Sequence, residues 1–500
     1  MKRVLSILLA LTLLMGVVAL ASCGGTTPPE ELEGTGGGTK GTTESTVDFG
    51  DTGLGWDKAR PGYEDVDFGG KTFKFSMPLS TGDGWEGYEV YADEDSEGIL
   101  DASIIERNDI MFEFYNCFIE QEDVAEGTLS ADFATKQNRI DVAATRYNLL
   151  SMASTNYYNL YTLDMDLTQP WWDQGFVEDV TVDGKLYSIL GAFSLTSFDC
   201  TWVMFFNKTV LENTPALEGY DPYEFVANNE WTLDKFFEMV KKAGNEDGDS
   251  TMTPGSGDVF GLVHPTTGFG IRGLYFGAGQ SYVTKTDNKD GTTTFTHSFT
   301  DAAVEATNAI IDIMSHEYVQ AMSYTVCDTQ IRSGLTLFNP ETLNKASQYA
   351  GAATGIGGSD PVDIGIVPHP KLSSDQASYK HNVDNHFIFV GIPTTCTDLQ
   401  RIADFMELYA FHSYYTVYND YLNLYKYNYT TDVEAAEMVD IILKSRSFDL
   451  AYQGGWGSVD TTFLSNVKNG ENPIATVKGK LSEAILEGAT NYKDKLAGLN

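Results

Sequence analysis

GKLYSILGAFSLTSFDCTWVMFFNKTVLE, residues 184–212, decides the architecture. It reads as a turn, a strand, a link and a second strand that runs into a helix. The neighbouring segments repeat that grammar. Upstream, KTFKFSM (71–77) alternates polar and apolar side chains as a strand does. ILDASIIERNDIMFEFY (99–115) has helical periodicity and shifts towards strand character near Phe112. IDVAAT (140–145) is a short apolar strand, followed by a helical-looking segment to about Tyr158. Downstream, EWTLDKFFEMVKKA (230–243) is an amphipathic helix with Thr232 as its N-cap and Trp231 stapled over its start. DAAVEATNAIIDIMSHEY (301–318) is a second helix. VDIGIVPHP (362–370) and HFIFVGIP (386–393) are strands, and a helix begins at Asp398. The tail holds helices near 432–447 and 479–496. Strands and helices alternate throughout, so the fold class is α/β.

The chain opens MKRVLSILLALTLLMGVVALASCGG: Lys2 and Arg3, an apolar run from Val4 to Leu20, then small residues up to Cys23. That is the layout of a secretory signal rather than of a mature membrane span. Leu20-Ala21-Ser22-Cys23 resembles the lipobox of bacterial lipoproteins, which implies cleavage after residue 22 and lipidation of the Cys23 thiol. GGTTPPEELEGTGGGTKGTTESTV (24–47) is nearly free of apolar side chains and is read as a disordered spacer. The tether is expected to span 23–65. The expected place is the extracellular face of the cytoplasmic membrane, held there by lipid alone.

With 71 acidic against 32 basic residues the formal charge is -39, which makes nucleic acid and anionic lipid surfaces unsuitable partners. Cys117, Cys200, Cys327 and Cys396 lie far apart with no CxxC pair, so no zinc site is expected and buried thiols are favoured over disulfides. Aromatics make up 12% of the chain; part is core, and the excess leans towards carbohydrate, whose ring faces are gripped by flat side chains.

Several motifs fail on inspection. GFGIRG (268–273) matches a dinucleotide fingerprint but is preceded by HPTT rather than by an adjacent strand, so it is read as coincidence. HEYVQ (316–320) has Gln320 where a zinc protease needs histidine. NEDGDSTMTPGSGD (245–258) places Asn245, Asp247 and Asp249 in alternation like a calcium loop. The turn glycine and the twelfth-position glutamate are absent, so an acidic turn is preferred and a structural Ca²⁺ is the alternative. No other cofactor is expected, and no carboxylate pair is singled out for catalysis.

Seven stretches, in this order, resemble the carbohydrate-type (family 1) extracellular solute-binding lipoproteins of bacterial ABC importers. They are DLTQPWWDQ (166–174), GKLYSI (184–189), FFNKTVLE (205–212), YEFVANNEWTLDKFFEM (223–239), DVFGL (258–262), DIGIVPHPKLSSDQASY (363–379) and VGIPTTCTDLQRIADFMELYAFHSY (390–414). The order and spacing carry the likeness, from about Lys71 to Trp456. One departure is Thr431-Asp432, where relatives tend to have Arg-Asp. The resemblance implies a two-lobe periplasmic-binding-protein-like fold with a hinge and an interlobe cleft. The N-lobe would be 66–188 plus 369–425 and the C-lobe 189–368 plus 426–500, with crossings near Ile189, Pro368 and Tyr425. It implies a non-enzymatic, monomeric protein that captures a carbohydrate, an oligosaccharide for preference, and passes it to importer permease subunits. A surface glycoside hydrolase and an importer-independent glycan-capture or sensor lipoprotein are the rivals.

On that reading the ligand-binding residues are Trp85 in the loop after the first strand, Arg146 and Asn148 after IDVAAT, and Asp199 and Trp202 past the first crossing. Phe269 with Arg272 follows by alignment, and Trp456 resembles a C-terminal aromatic plate. Trp171 and Trp172, held between Pro170 and Asp173, are expected to be mostly structural, with at least one indole buried and Trp172 the candidate for the cleft.

Overall fold

The computed structural model describes residues 59–79, 87–93, 95–96, 98–125, 129–351, 361–430 and 432–499. Cys23, the spacer and Trp85 lie outside these residues. All of the described residues fall in one compact unit. No helix among them is long and apolar enough to cross a membrane.

Two separate sheets organise that unit. The first has the order β12-β3-β1-β2, with β1 at Lys71–Pro78, β2 at Cys117–Val124, β3 at Val142–Thr145 and β12 at Phe389–Gly391. β1 runs parallel to β2 and β3, while β12 runs antiparallel to β3. The second has the order β10-β4-β9-β5-β8: β4 is Trp202–Asn207, β5 Phe260–Pro265, β8 Val319–Met322, β9 Thr336–Thr342 and β10 Ile364–Val367. β5 is parallel to β8 and β9; β4 is antiparallel to β9 and β10. A hairpin, β6 (Val283–Asp287) with β7 (Thr293–His297), and a short pair, β11 (His381–Asn382) with β13 (Arg446–Ser447), complete the strands.

The opening stretch folds largely as read. Its second strand is β4, every residue buried, and the helix Lys208–Asn213 follows at once, capped by Asn207. Its first strand shrinks to isolated bridges, Ile189 with Val390 and Trp172 with Gly191, and the link coils into a helix at Leu195–Asp199. Helical order runs through Phe112 to Tyr115, and Asn116 in the left-handed region (φ 52°) stops it. The segment after β3 forms only a short 3₁₀ turn at Leu149–Met152. HFIFVGIP pairs over three residues. The helix Leu233–Ala243 is capped by Thr232, which accepts from Lys235 N, and Trp231 packs edge-on against Phe236 as a staple does. The indole also donates to Pro368 O at 2.7 Å.

Order begins before Val66. Arg60 pairs with Glu407 at 2.9 Å and stacks over Trp171 and Tyr63. Trp171 and Trp172 are both buried: the first donates to Glu407 and meets Phe411, the second meets Phe193. The paired tryptophans are core.

Contacts also move two of the expected crossings. Thr196 still bonds Glu89, and Asp199 still bonds Tyr88, both on the side of the first sheet. Thr201 then bridges Val383, and Asp384 N donates to Cys200 O at 2.8 Å. Residues beyond Pro368 stay with the second sheet: Lys371 pairs backbone with Trp231 and Leu233, and Gln376 bonds Gly277 O. The chain therefore passes between sheets at Cys200–Trp202 and returns at Val383–Asp384, later than Ile189 and Pro368, because the flanking segments keep their old partners until then. All four cysteines are buried free thiols.

Candidate functional site

The carboxyl ends of the parallel strands point to one region. In the first sheet β3 ends at Thr145, beside the start of β12; in the second, β5, β8 and β9 end at Pro265, Met322 and Thr342 beside Trp202 at the start of β4. Crevices outside such strand ends are where open α/β sheets hold ligands. The paired crossing segments 200–202 and 383–384 join the two edges.

Arg272 sits at the centre, 1% exposed, on the helix Phe269–Gly277 that follows β5. Its guanidinium is 3.2 Å from Asp460 and 3.5 Å from Asp384, takes the Tyr452 hydroxyl as a partner, and lies over the rings of Phe269 and Tyr452. Burial alone would discourage its charge, but Asp460, Tyr452 and Asp384 outweigh it and hold the guanidinium charged. Asp384 also accepts from the Trp202 indole at 3.1 Å and from His386. Burial pushes its pKa up; the bonds from His386, Arg272 and Trp202 prevail and keep it below the ordinary range. With both its oxygens bonded, Asp384 is an orienting group and a poor base. Trp202 and Phe269 meet edge to face, ring centres 6.1 Å apart.

Around this knot stand partly exposed groups. Tyr147 packs edge-on against His386 and donates its N–H to Asn385 O, while Asn385 N donates to the Tyr452 hydroxyl. Tyr324 is exposed and its hydroxyl bonds Thr267 at 3.2 Å. Glu341, at the end of β9, is buried, which lifts its pKa to about 7. Asp199 lies behind, next to the crossing, and accepts hydroxyls from Tyr88 (2.8 Å), Tyr421 (2.8 Å) and Tyr425 (2.7 Å); burial raises its pKa against those bonds.

The structure thus brings together Trp202, Phe269, Arg272 and, on the opposite edge, Arg146, which lies over Tyr147 and donates to Leu79 O. Asp199 joins them as part of the hinge knot, its carboxylate occupied by tyrosines. Asn148 is exposed and starts the 3₁₀ turn, with no side-chain cap bond. Trp456 is elsewhere: buried, it meets Phe295 and Tyr492, and Gly488 packs on its indole, so it belongs to the core under the last helix. The sequence reading passed over Tyr147, Tyr324, Glu341, Asp384, His386, Tyr452 and Asp460. No local motif marks them; each becomes visible only as a partner of Arg272 or Trp202, or through its place at a strand end.

GFGIRG starts three residues after β5 and forms the N-cap and first turns of the helix Phe269–Gly277, nearer to a strand than expected. Its glycines serve packing: a Cβ at Gly270 would meet Pro340 at 2.6 Å, and one at Gly273 would meet His369 at 2.4 Å. In the acidic turn, Glu246, Asp247 and Asp249 bring carboxylate oxygens within 4.8 Å of one another, while Asn245 pairs backbone with Val259. Asp258 is spent on the turn, accepting from Asp247 N, Thr253 N and Ser256 Oγ. Two surface concavities lie away from the strand-end crevice. Lys208, Tyr220 and Asp432 line one, and Ile99, Glu106 and Asp420 the other; neither includes Trp202, Phe269 or Arg272.

No family model matches the chain, and no curated protein matches it. Solved structures do. The sugar-binding protein MalE from the phytopathogen Xanthomonas citri aligns over 85% of this chain and 97% of its own, at 11% identity and a TM-score of 0.52. The cyclic alpha-maltosyl-1,6-maltose binding protein from Arthrobacter globiformis aligns over 85% and 98%, at 14% identity and a TM-score of 0.48. A sugar transporter from Rhizobium etli in an open conformation aligns over 86% and 100%, at 13% identity and a TM-score of 0.48. The chain has the two-lobe α/β fold of that Xanthomonas citri protein, a periplasmic-binding-protein fold with a cleft between its lobes.

Proposed function

We propose that this protein is a solute-binding protein that captures a carbohydrate between its two sheet edges and delivers it to an ABC importer. One observation carries the reading. At the strand ends, an aromatic pair (Trp202 and Phe269) adjoins a buried charged network in which Arg272, Asp384 and Asp460 fix one another. Apolar plates with a few immobilised polar groups are the composition of a small-molecule cleft. The fold it shares with a sugar-binding protein supports the same substrate class.

The edges touch in this structure, so a sugar enters only when they part. The crossings at 200–202 and 383–384 and the segment around Tyr425 are the joints available for that motion, and ligand favours closure by its differential affinity. An oligosaccharide is the preferred ligand because the partly exposed rings of Tyr147 and Tyr324 offer apolar surface beyond the aromatic pair. Cys23 would carry the lipid, holding the body outside the cytoplasmic membrane, and the acidic turn would hold calcium only incidentally to transport.

A thermal-shift screen tests the reading. The chain is heated with mono- and oligosaccharides, amino acids and short peptides. A ligand at about a hundred times its dissociation constant adds nearly 3 kcal/mol of stability. A rise with one sugar class, abolished in Phe269→Ala, is expected. A rise with peptides and none with sugars overturns the substrate class.

A further inference from the structure

Glu341 stands out at the cleft because its bonding is incomplete. It is the penultimate residue of β9, opposite Val203, the second residue of β4, and is 4% exposed. One of its oxygens accepts only from its neighbour Thr342 N, at 3.2 Å. The other has no hydrogen-bond partner among the described residues. Burial is the cause of its raised pKa, and a donor reaching the open oxygen would favour the charged form. Tyr324, exposed and bonded to Thr267, is near enough to feel the Glu341 charge, as is Asp384.

The charges around Glu341 are mixed, one cation among carboxylates. Arg272 is held between Asp384 and Asp460. Lys345, the cation nearest Glu341 in effect, bonds Gln348 at 2.8 Å, and Asp328 and Asp384 add negative potential. A glycan hydroxyl can donate to the open oxygen; a glycan carboxylate at the same place meets like charge in a region of low dielectric.

Building on the carbohydrate reading, we propose that Glu341 sets the charge selectivity of the cleft: it accepts a hydroxyl of a neutral glycan beside Tyr324 and rejects the same glycan when that position carries a carboxylate.

Calorimetric titration of the full chain in detergent at pH 8 tests this. The probes are a panel of neutral trisaccharides and, for the tightest binder, analogues in which a C6 hydroxymethyl is oxidised to a carboxylate. Wild type should bind the analogue matching this position roughly a hundredfold more weakly, since each 1.4 kcal/mol is tenfold and like-charge contacts cost several. Glu341→Gln should weaken the neutral glycan about tenfold and shrink the gap to the analogue by at least as much. Equal affinity of wild type for the neutral glycan and every analogue overturns the proposal, as does a Glu341→Gln variant that keeps both affinities. The variant need only stay folded, melting no lower than wild type, for the second result to count, and in either case the carbohydrate reading stands. If no glycan of the panel binds, that reading falls and the proposal with it.

Discussion

Arg272 shows what one buried charge organises. Its guanidinium holds two carboxylates, a phenol and two ring faces in one geometry. Removing it leaves Asp384 and Asp460 buried without compensation, so Arg272→Ala should lower stability by about 3–5 kcal/mol, read from urea unfolding. Glu341 poses the opposite case. Burial raises its pKa from 4.5 to about 7, so the folded state loses stability as pH rises from about 4.5 to about 7, and the loss is complete above that. Glu341→Gln should therefore raise the melting temperature at pH 8 and change it little at pH 5. At this scale Phe269 and Arg272 came from the family resemblance and Trp202 from its place past the expected crossing, and none was marked by a local motif. Asp384, Tyr452 and Asp460 were invisible, since they lie more than a hundred positions away in the chain and nothing local distinguishes them from the other acidic and aromatic residues.

Among elements, the return segment before β11 carries a second strain. His369 and His381 are fully buried and face each other across 6.0 Å; His264, next to the end of β5, is also buried. Burial lowers His369 to about 3 and His264 to about 4, and drives His381 well below its ordinary value. Below about pH 6.5 the unfolded chain takes up protons that these folded imidazoles refuse, so their contribution is full above pH 6.5 and is lost as pH falls towards 4. A chain carrying His264→Gln should show a shallower fall in melting temperature between pH 7 and pH 5 than wild type. The helix-start staple is a further test: Trp231→Ala removes a buried indole and its bond to Pro368 O, and should cost about 3–5 kcal/mol in urea unfolding. Helices and strands were legible here because periodicity, caps and staples are local, as Thr232 and Trp231 show. The crossings were not. Whether 190–199 and 369–382 belong to one sheet or the other is settled by partners such as Glu89 and Trp231, distant in sequence.

For the whole molecule, two sheets whose strand ends face each other across paired crossing segments make a cleft the natural consequence of the topology. The chain's formal charge of -39 suits an uncharged ligand better than an anionic one, in line with the proposed carbohydrate. Hydrogen–deuterium exchange with and without the best glycan from the screen would test it most directly. The account predicts slowed exchange at 145–148, 200–202, 266–272 and 383–386, the segments that line the two edges and the crossings between them. Protection confined to the concavity of Lys208, Tyr220 and Asp432, or to the core around Trp456, would place the ligand elsewhere and contradict the cleft.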